Sequence, residues 1–268
     1  MTGLLADAPL HLPDNLSQNL PVWAFGFMLT LARVGAAMAL LPGLGEAASP
    51  AMLRVGLALG ITALLLPDVM PLIPHVPEAS LQAAAMVLAE VVTGLWFGWL
   101  TRLLALALPV AAQIIAYLLG ISSVLQPDAE LGPQSTALAK LFELSAPLLM
   151  LVSGLYMLPL VALADLYRLI PPGTLLPAAD SADSAARAVA WSFALSLRLA
   201  SPFVVAGLVW QVTIGLIARL VPRMQIYFSA MPGQILGGFL LLAGMSGLIL
   251  SAWQDSVRPV LAALPGGF

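Results

Sequence analysis

Long runs without a charged residue constrain this chain more than any other feature of its sequence. Five runs, the shortest of 18 residues, contain no Asp, Glu, Lys or Arg: 15–32, 103–127, 144–164, 199–218 and 224–254. Each is long enough for a helix that crosses the hydrocarbon core of a bilayer. A bilayer has no water for unpaired backbone groups, and the runs lack the apolar–polar alternation of barrel strands. The predicted fold class is therefore all-α, in a polytopic protein surrounded by membrane lipid.

Composition narrows the classes of function. Hydrophobic residues make up 61% of the chain and charged residues 9%, whereas soluble domains carry about 25% charged residues. The net charge is −3, so no basic patch for nucleic acid is expected. Because the chain has no cysteine and only two histidines, both in predicted loops, we expect no disulfide, no metal site and no cofactor.

Proline and glycine divide the chain into six predicted helical stretches. We expect a single integral-membrane domain over residues 1–268, with stretches at roughly 20–41, 50–66, 80–120, 136–168, 185–221 and 225–263. The third stretch is too long for one straight span, and Pro109 is expected to kink it or to split it into two hairpin-like halves. Some stretches are therefore expected to be hairpins and not complete crossings.

The termini and loops carry little information on orientation. The first twenty residues contain Asp7 and Asp14 but no Lys or Arg, which is the wrong charge for the start of a cleavable signal peptide, so we expect the N-terminus to be retained. Lys and Arg in alternate loops divide four to three. That division is too even for the positive-inside rule to fix the orientation.

Charged residues inside apolar helices are the first candidates for a functional role, because a charge at bilayer depth is costly and usually faces protein or water. They are Arg33, Glu90, Arg102, Lys140, Glu143 and Arg198. Arg33 and Arg102 lie near predicted helix ends. Their side chains therefore either reach along the helix to the membrane interface or are buried.

Glu90, Gly94 and Gly98, here called the glycine stripe, fall at i, i+4 and i+8 on one face of the third stretch. Glycine at this spacing lets another helix backbone approach closely. No partner for this face is evident within the chain. We therefore predict a buried seam that packs against another subunit, and the alternative is a face exposed to lipid.

The segment 120–136 is polar at both ends and apolar in the middle, and it lies between two of the most apolar stretches. Non-helical backbone at membrane depth must be buried by protein or line an aqueous cavity. The segment is therefore either a pore plug or an ordinary turn outside the membrane. If it is a plug, the candidate residues are Gly120, Ser122, Ser123, Val124, Leu125, Gln126, Pro127 and Asp128.

Common catalytic motifs are absent from the sequence. It contains no HExxH, GxSxG, P-loop or GxGxxG pattern, so we predict that the protein is not an enzyme. A buried acid accompanied by arginines would also suit a small-molecule transporter. Pro109 and Pro202 loosely correspond as breaks in two halves, but the residues around them match poorly. A polytopic transporter or permease is the alternative function.

Residues in the first half of the chain form a recognisable pattern. It consists of Arg33, Gly35 and Pro42 in the first stretch, Pro50 and Arg54 around the start of the second, and the glycine stripe in the third. This pattern resembles the FliR/HrcT/SctT family of type III secretion export-gate subunits. The resemblance extends from about residue 20 to residue 242.

The segment 215–242 carries the most specific part of this resemblance. The family pattern is Gly-x-x-x-Arg-x-x-Pro-Gln-x-Asn-x-Phe, followed by Pro and Lys. It is matched by Gly215, Arg219, Pro222 and Pro232, whereas Gln, Asn, Phe and Lys are replaced by Arg223, Gln225, Tyr227 and Gln234. Gly120, Ser122 and the pair Pro127-Asp128 resemble a Gly-x-Ser and Asp-Pro loop with the last pair reversed. These departures indicate a divergent branch, flagellar or injectisome.

The resemblance implies a subunit of an export gate in the bacterial inner membrane, at the basal body for flagellar members. FliP-like and FliQ-like subunits would complete a cone-shaped pore, and an FlhB-like switch protein would be a further partner. The implied substrates are unfolded export proteins, driven by the proton-motive force and a separate ATPase. The same resemblance assigns Arg33, the glycine stripe, Gly215, Arg219, Pro222 and Pro232 to helix seams and subunit packing.

Overall fold

A computed structural model describes residues 15–46, 50–120, 137–220 and 226–264, and these residues contain seven α-helices and no strand. The helices are α1 Asn15–Leu40, α2 Ala51–Val69, α3 Ser80–Leu118, α4 Ala137–Val152, α5 Met157–Leu169, α6 Ala178–Leu220 and α7 Ile226–Ala262. A short 3-10 turn, Met70–Leu72, continues α2. The predicted all-α fold class is confirmed.

Within the described ranges, five helices are long and apolar enough to cross a membrane, and the number rises to six if α4 and α5 together form one bent span. The two helices meet at 74° across a break of a few residues. The prediction of a polytopic membrane protein is confirmed by these lengths and compositions.

The helix breaks in the structure differ from those predicted from the positions of proline and glycine. α3 runs as one helix through Pro109 and is not split into halves, because a proline removes a single hydrogen bond and a packed helix tolerates that loss. The stretch expected at 136–168 is instead divided into α4 and α5. Gly154 lies in this break with φ +74°, a conformation that ends a helix and that most other residues avoid. α6 begins at Ala178, earlier than the predicted start near residue 185.

α3 is the central helix of the fold. It packs against α1, α4 and α6, and its buried side chains extend from Ala89 to Ala116. Most of them are small, so neighbouring helices approach closely on several sides, with Leu104 and Leu108 filling the space between. α2 lies against α1 on the outside of this core.

The first half of α6 is fastened to α3 by side-chain hydrogen bonds. The Ser192 and Ser196 hydroxyls donate to the carbonyl oxygens of Leu103 (2.8 Å) and Ala107 (2.9 Å). No side chain in residues 204–220, here called the distal half of α6, is buried, although Gly207 and Trp210 still face α3 and α7. α6 therefore has one half packed in the fold and one half that is largely exposed.

Candidate functional site

Arg33 of α1 and Glu90 of α3 form a fully buried ion pair at the centre of the α1–α3 interface. The Arg33 guanidinium donates from Nε to Glu90 Oε2 (2.7 Å) and from Nη2 to Glu90 Oε1 (3.0 Å). Two parallel hydrogen bonds of this kind fix both the distance and the rotation of the two helices. The alternative that Arg33 extends to the membrane interface is wrong, because its charge is neutralised inside the protein.

The end of α5 and the connection from α5 to α6 supply the remaining partners of this pair. Arg33 Nη1 donates to the Ile170 carbonyl oxygen (2.9 Å), and the Gly173 amide donates to Glu90 Oε1 (2.7 Å). The ring of Tyr167 stacks against the guanidinium, with Arg33 Cζ 4.2 Å from its centroid. Arg33 and Glu90 thus join three segments of the chain that are distant in sequence.

Local backbone geometry explains how the Gly173 amide reaches Glu90. The Thr174 amide donates to the Pro171 carbonyl oxygen (3.2 Å), and Gly173 has φ +78°. A proline followed by a glycine with positive φ is typical of the centre of a type II turn. A Cβ at Gly173 would also meet the terminal methyl of Met86 in α3, which is flexible enough to move. Glycine is therefore required here for the turn.

A buried ion pair with these partners is suited to holding helices together. The guanidinium and the carboxylate both have hydrogen-bond partners. These bonds offset the free energy that is lost when both charges are taken out of water. Removing either residue would leave the other as an uncompensated charge inside the protein, which typically costs about 3–5 kcal/mol. The pair therefore makes correct assembly of the three segments a condition of stability.

The glycine stripe packs against α1 of the same chain. A Cβ at Gly94 would meet the Arg33 carbonyl oxygen and the Ala36 Cβ (2.9 Å), and one at Gly98 would meet the Ala37 carbonyl oxygen (2.6 Å). The expectation that this face lacks a partner inside the chain is therefore wrong. Sequence periodicity identifies the close approach but does not identify the helix that makes it.

The other charged residues in the apolar stretches lie outside this cluster. Arg102 faces Glu46 at 3.9 Å with both side chains about one-third exposed, and Lys140 pairs with Glu143 of the same helix at 3.2 Å. Arg198 is exposed. Pairs this accessible contribute little to stability.

The C-terminal motif residues lie far from the ion pair in the fold. Gly215 and Arg219 are in the distal half of α6, and Pro232 is in the first part of α7. All three are exposed, and a Cβ at Gly215 would meet nothing within 4 Å. Pro222 lies outside the described residues. Their assignment to subunit packing stays a prediction.

Gln234, which departs from the family pattern, connects α7 to the end of α3. Its Nε2 donates to the carbonyl oxygen of Leu118 (2.8 Å), the last residue of α3, and the last carbonyl oxygens of a helix need partners from outside it. An amide side chain therefore stabilises the point from which the chain leaves α3. Of the candidate plug residues, only Gly120 is among the described residues, so the plug interpretation stays a prediction.

Comparison with known proteins decides the family. A model of the family described as bacterial export proteins, family 1, matches residues 24–260. A flagellar biosynthetic protein FliR from Caulobacter vibrioides is 32% identical over 234 residues, which cover 87% of this chain and 93% of that protein. The chain belongs to the FliR family of bacterial export proteins.

Other FliR proteins are more distant but are matched over similar lengths. FliR of Escherichia coli is 25% identical over 85% of this chain and 86% of its own length, and FliR of Bacillus subtilis is 23% identical over 81% and 84%. The match to the FliR family covers every helix in which a candidate residue was placed. It favours an export function over that of a small-molecule transporter.

Sequence reasoning missed three partners of the ion pair: Tyr167, the Ile170 carbonyl and the Gly173 amide. The Pro-Pro-Gly sequence at 171–173 does signal a turn. Nothing in a single FliR-family sequence connects that turn to Glu90, because the contact spans 83 positions.

Proposed function

We propose that this chain is a subunit of the type III export gate, in its flagellar form, in the bacterial inner membrane. It would form a pore for unfolded export substrates with FliP-like and FliQ-like subunits, next to an FlhB-like switch protein at the basal body. Membership of the FliR family supports an export role, and the relatives named flagellar biosynthetic proteins support the flagellar form.

The structural observation that carries the proposal is the apolar helix surface that the chain itself leaves uncovered. Residues 204–218, in the distal half of α6, contain no charge and no buried side chain. One face of the packed half is also apolar and exposed, at Val189, Phe193 and Leu197. This surface must be covered by lipid, by other proteins, or by both.

The uncovered side chains are large and apolar. In the distal half of α6, Leu208 is 65% exposed and Leu220 is 81% exposed, and Leu240 of α7 is 67% exposed. Exposed apolar patches of this extent are typical of surfaces that bind other proteins or lipid. Neighbouring subunits that continue the helical wall would cover these side chains.

The segment after Gly120 supplies the proposed closure of the pore. Residues 120–136 are rich in Gly, Pro and Ser, with Val124 and Leu125 in their middle. A closure through which unfolded proteins pass must open for substrates of many different sequences. Small and apolar residues therefore suit it better than charged residues do. We assign the plug to Gly120, Ser122, Ser123, Val124, Leu125, Gln126, Pro127 and Asp128.

Leu208→Asp tests the proposed assembly. An aspartate on the distal half of α6 would be buried without a partner at a subunit interface, so we expect the full-length tagged chain to lose co-purification with co-expressed FliP-like and FliQ-like subunits. Wild-type chain should retain them. The measurement is the amount of each subunit in the purified complex, by quantitative mass spectrometry.

Leu175→Asp is the matched control. Leu175 is equally apolar and exposed but lies in the connection before α6, so its replacement should leave the complex intact. A wild-type chain that is monodisperse without any partner, together with a Leu208→Asp chain that behaves identically, would contradict the proposal.

A further inference from the structure

A groove of about 450 Å³ lies between α1 and α2. Its walls are apolar side chains and one glycine, and one charged residue lies at its end. The lining residues are Leu31, Gly35, Met38, Ala39, Ala51, Arg54, Val55, Ala58 and Leu59. Ala51, Val55 and Leu59 are exposed, so the groove opens to the surroundings of the protein.

Arg54 is the charged residue; it is partly buried and has no anionic partner among the described residues. Its Nε atom is buried and has no hydrogen-bond partner among the described residues, and no carboxylate in those ranges forms an ion pair with it. A buried guanidinium N–H without an acceptor is costly. The site is therefore chemically incomplete until an anionic group is supplied.

The position of Arg54 in α2 indicates where that anion comes from. The apolar span that includes α2 starts at Ala51, so Arg54, in its first turn, lies at the level of the lipid headgroups. The helix N-terminus also favours an anion, and Pro50 provides no side-chain cap. The groove follows α2 for about 12 Å, from Ala51 to Leu59, and about 8 Å of it extends beyond Arg54 toward the hydrocarbon.

We propose that this groove binds one anionic glycerophospholipid, with the phosphate on Arg54 and the first part of an acyl chain between α1 and α2. The groove is as apolar as the bilayer interior, so moving an acyl chain into it gains no hydrophobic free energy. The shape of the groove therefore positions the acyl chain, and the contact between Arg54 and the headgroup selects the lipid. One arginine near a headgroup favours an anionic over a neutral lipid by about fivefold. The proposal does not depend on the pore or on any particular partner subunit.

The test uses the full-length chain in detergent, with whichever subunits co-purify. It is titrated with dioleoylphosphatidylglycerol or dioleoylphosphatidylcholine, and bound lipid is counted by native mass spectrometry. We expect wild type to prefer phosphatidylglycerol by about fivefold. Arg54→Gln should remove this preference, and Arg54→Lys, which keeps the charge, should retain most of it.

A second variant tests the acyl part of the site. A Cβ at Gly35 would meet nothing within 4 Å, so Gly35→Leu can fill the groove without disturbing the fold. It should lower the binding of both lipids. Gly56→Leu on α2, also open within 4 Å but outside the groove, and Arg198→Gln, an exposed arginine of α6, are the controls and should bind as wild type does.

Three results would overturn the proposal: equal binding of the two lipids by wild type, a preference kept by Arg54→Gln, or cross-linking of a Gly35→Cys chain to a co-purified subunit. The last result would mean that a protein segment, with an acidic group on Arg54, occupies the groove in place of a lipid. Size-exclusion profiles matching wild type establish that each variant is folded.

Discussion

At the scale of single residues, the Arg33–Glu90 pair determines whether the three segments around it can pack. Glu90→Gln preserves the shape but leaves the Arg33 charge buried without its anion, so we expect a loss of about 3–5 kcal/mol in stability. Thermal unfolding of a fluorescently tagged chain, followed by size exclusion, measures this effect. Lys140→Gln, at a partly exposed pair, should change little.

A double variant separates the effect of charge from that of shape. Arg33→Met with Glu90→Leu removes both charges, and buried ion pairs replaced by apolar residues are often neutral in stability. The double variant should therefore be more stable than either Glu90→Gln or Arg33→Met alone. If Glu90→Gln unfolds at the wild-type temperature, the pair does not hold the segments together.

At the scale of helices, the glycine stripe fixes the distance between α1 and α3. Gly94→Leu would drive a side chain into the Arg33 backbone and the Ala36 methyl, separating the helices and stretching the ion pair between them. We expect the chain to reach the membrane but to lose its protease resistance before any subunit binds. Limited proteolysis of membranes containing the chain without its partners measures this loss.

Gly60→Leu is the corresponding control on α2, where a Cβ would meet nothing within 4 Å. It should digest as slowly as wild type. Protease resistance of Gly94→Leu equal to that of Gly60→Leu would show that α1 and α3 do not need this close approach.

The helices also show how far the sequence could predict this fold. Long uncharged runs predict the all-α class and the approximate position of each stretch, because bilayer thickness and backbone pairing are local constraints. Which helices contact each other is set by tertiary packing and could not be predicted from local sequence. Arg33 and Glu90, for example, are 57 positions apart in the chain. Breaks depend on the same packing, since α3 continues through Pro109 whereas the chain bends at Gly154.

At the scale of the whole molecule, a deletion after Gly120 tests whether that segment is a pore plug or an ordinary connection. Removing residues 122–126 should leave the complex assembled, because the helices on either side keep their packing surfaces, but should let ions pass. Conductance of bilayers containing the purified complex, wild type or deleted, measures the leak.

A deletion at the other end of the fold is the control for this experiment. Shortening the connection before α6 by residues 175–176, beyond the Pro171–Thr174 turn, also removes exposed or half-exposed positions but should not raise conductance. Tight bilayers and normal secretion from the 122–126 deletion would identify that segment as an ordinary turn outside the membrane.

The division of α6 into a packed half and an uncovered half has a consequence for the amount of this protein in a cell. When a chain leaves the insertion machinery, the distal half of α6 is still uncovered. This long apolar helix is then accessible to quality-control proteases. Those proteases would remove copies that find no partner, and copies shielded by partners would survive. Degradation, rather than matched rates of synthesis, would then keep the abundance of this subunit in proportion to that of its neighbours.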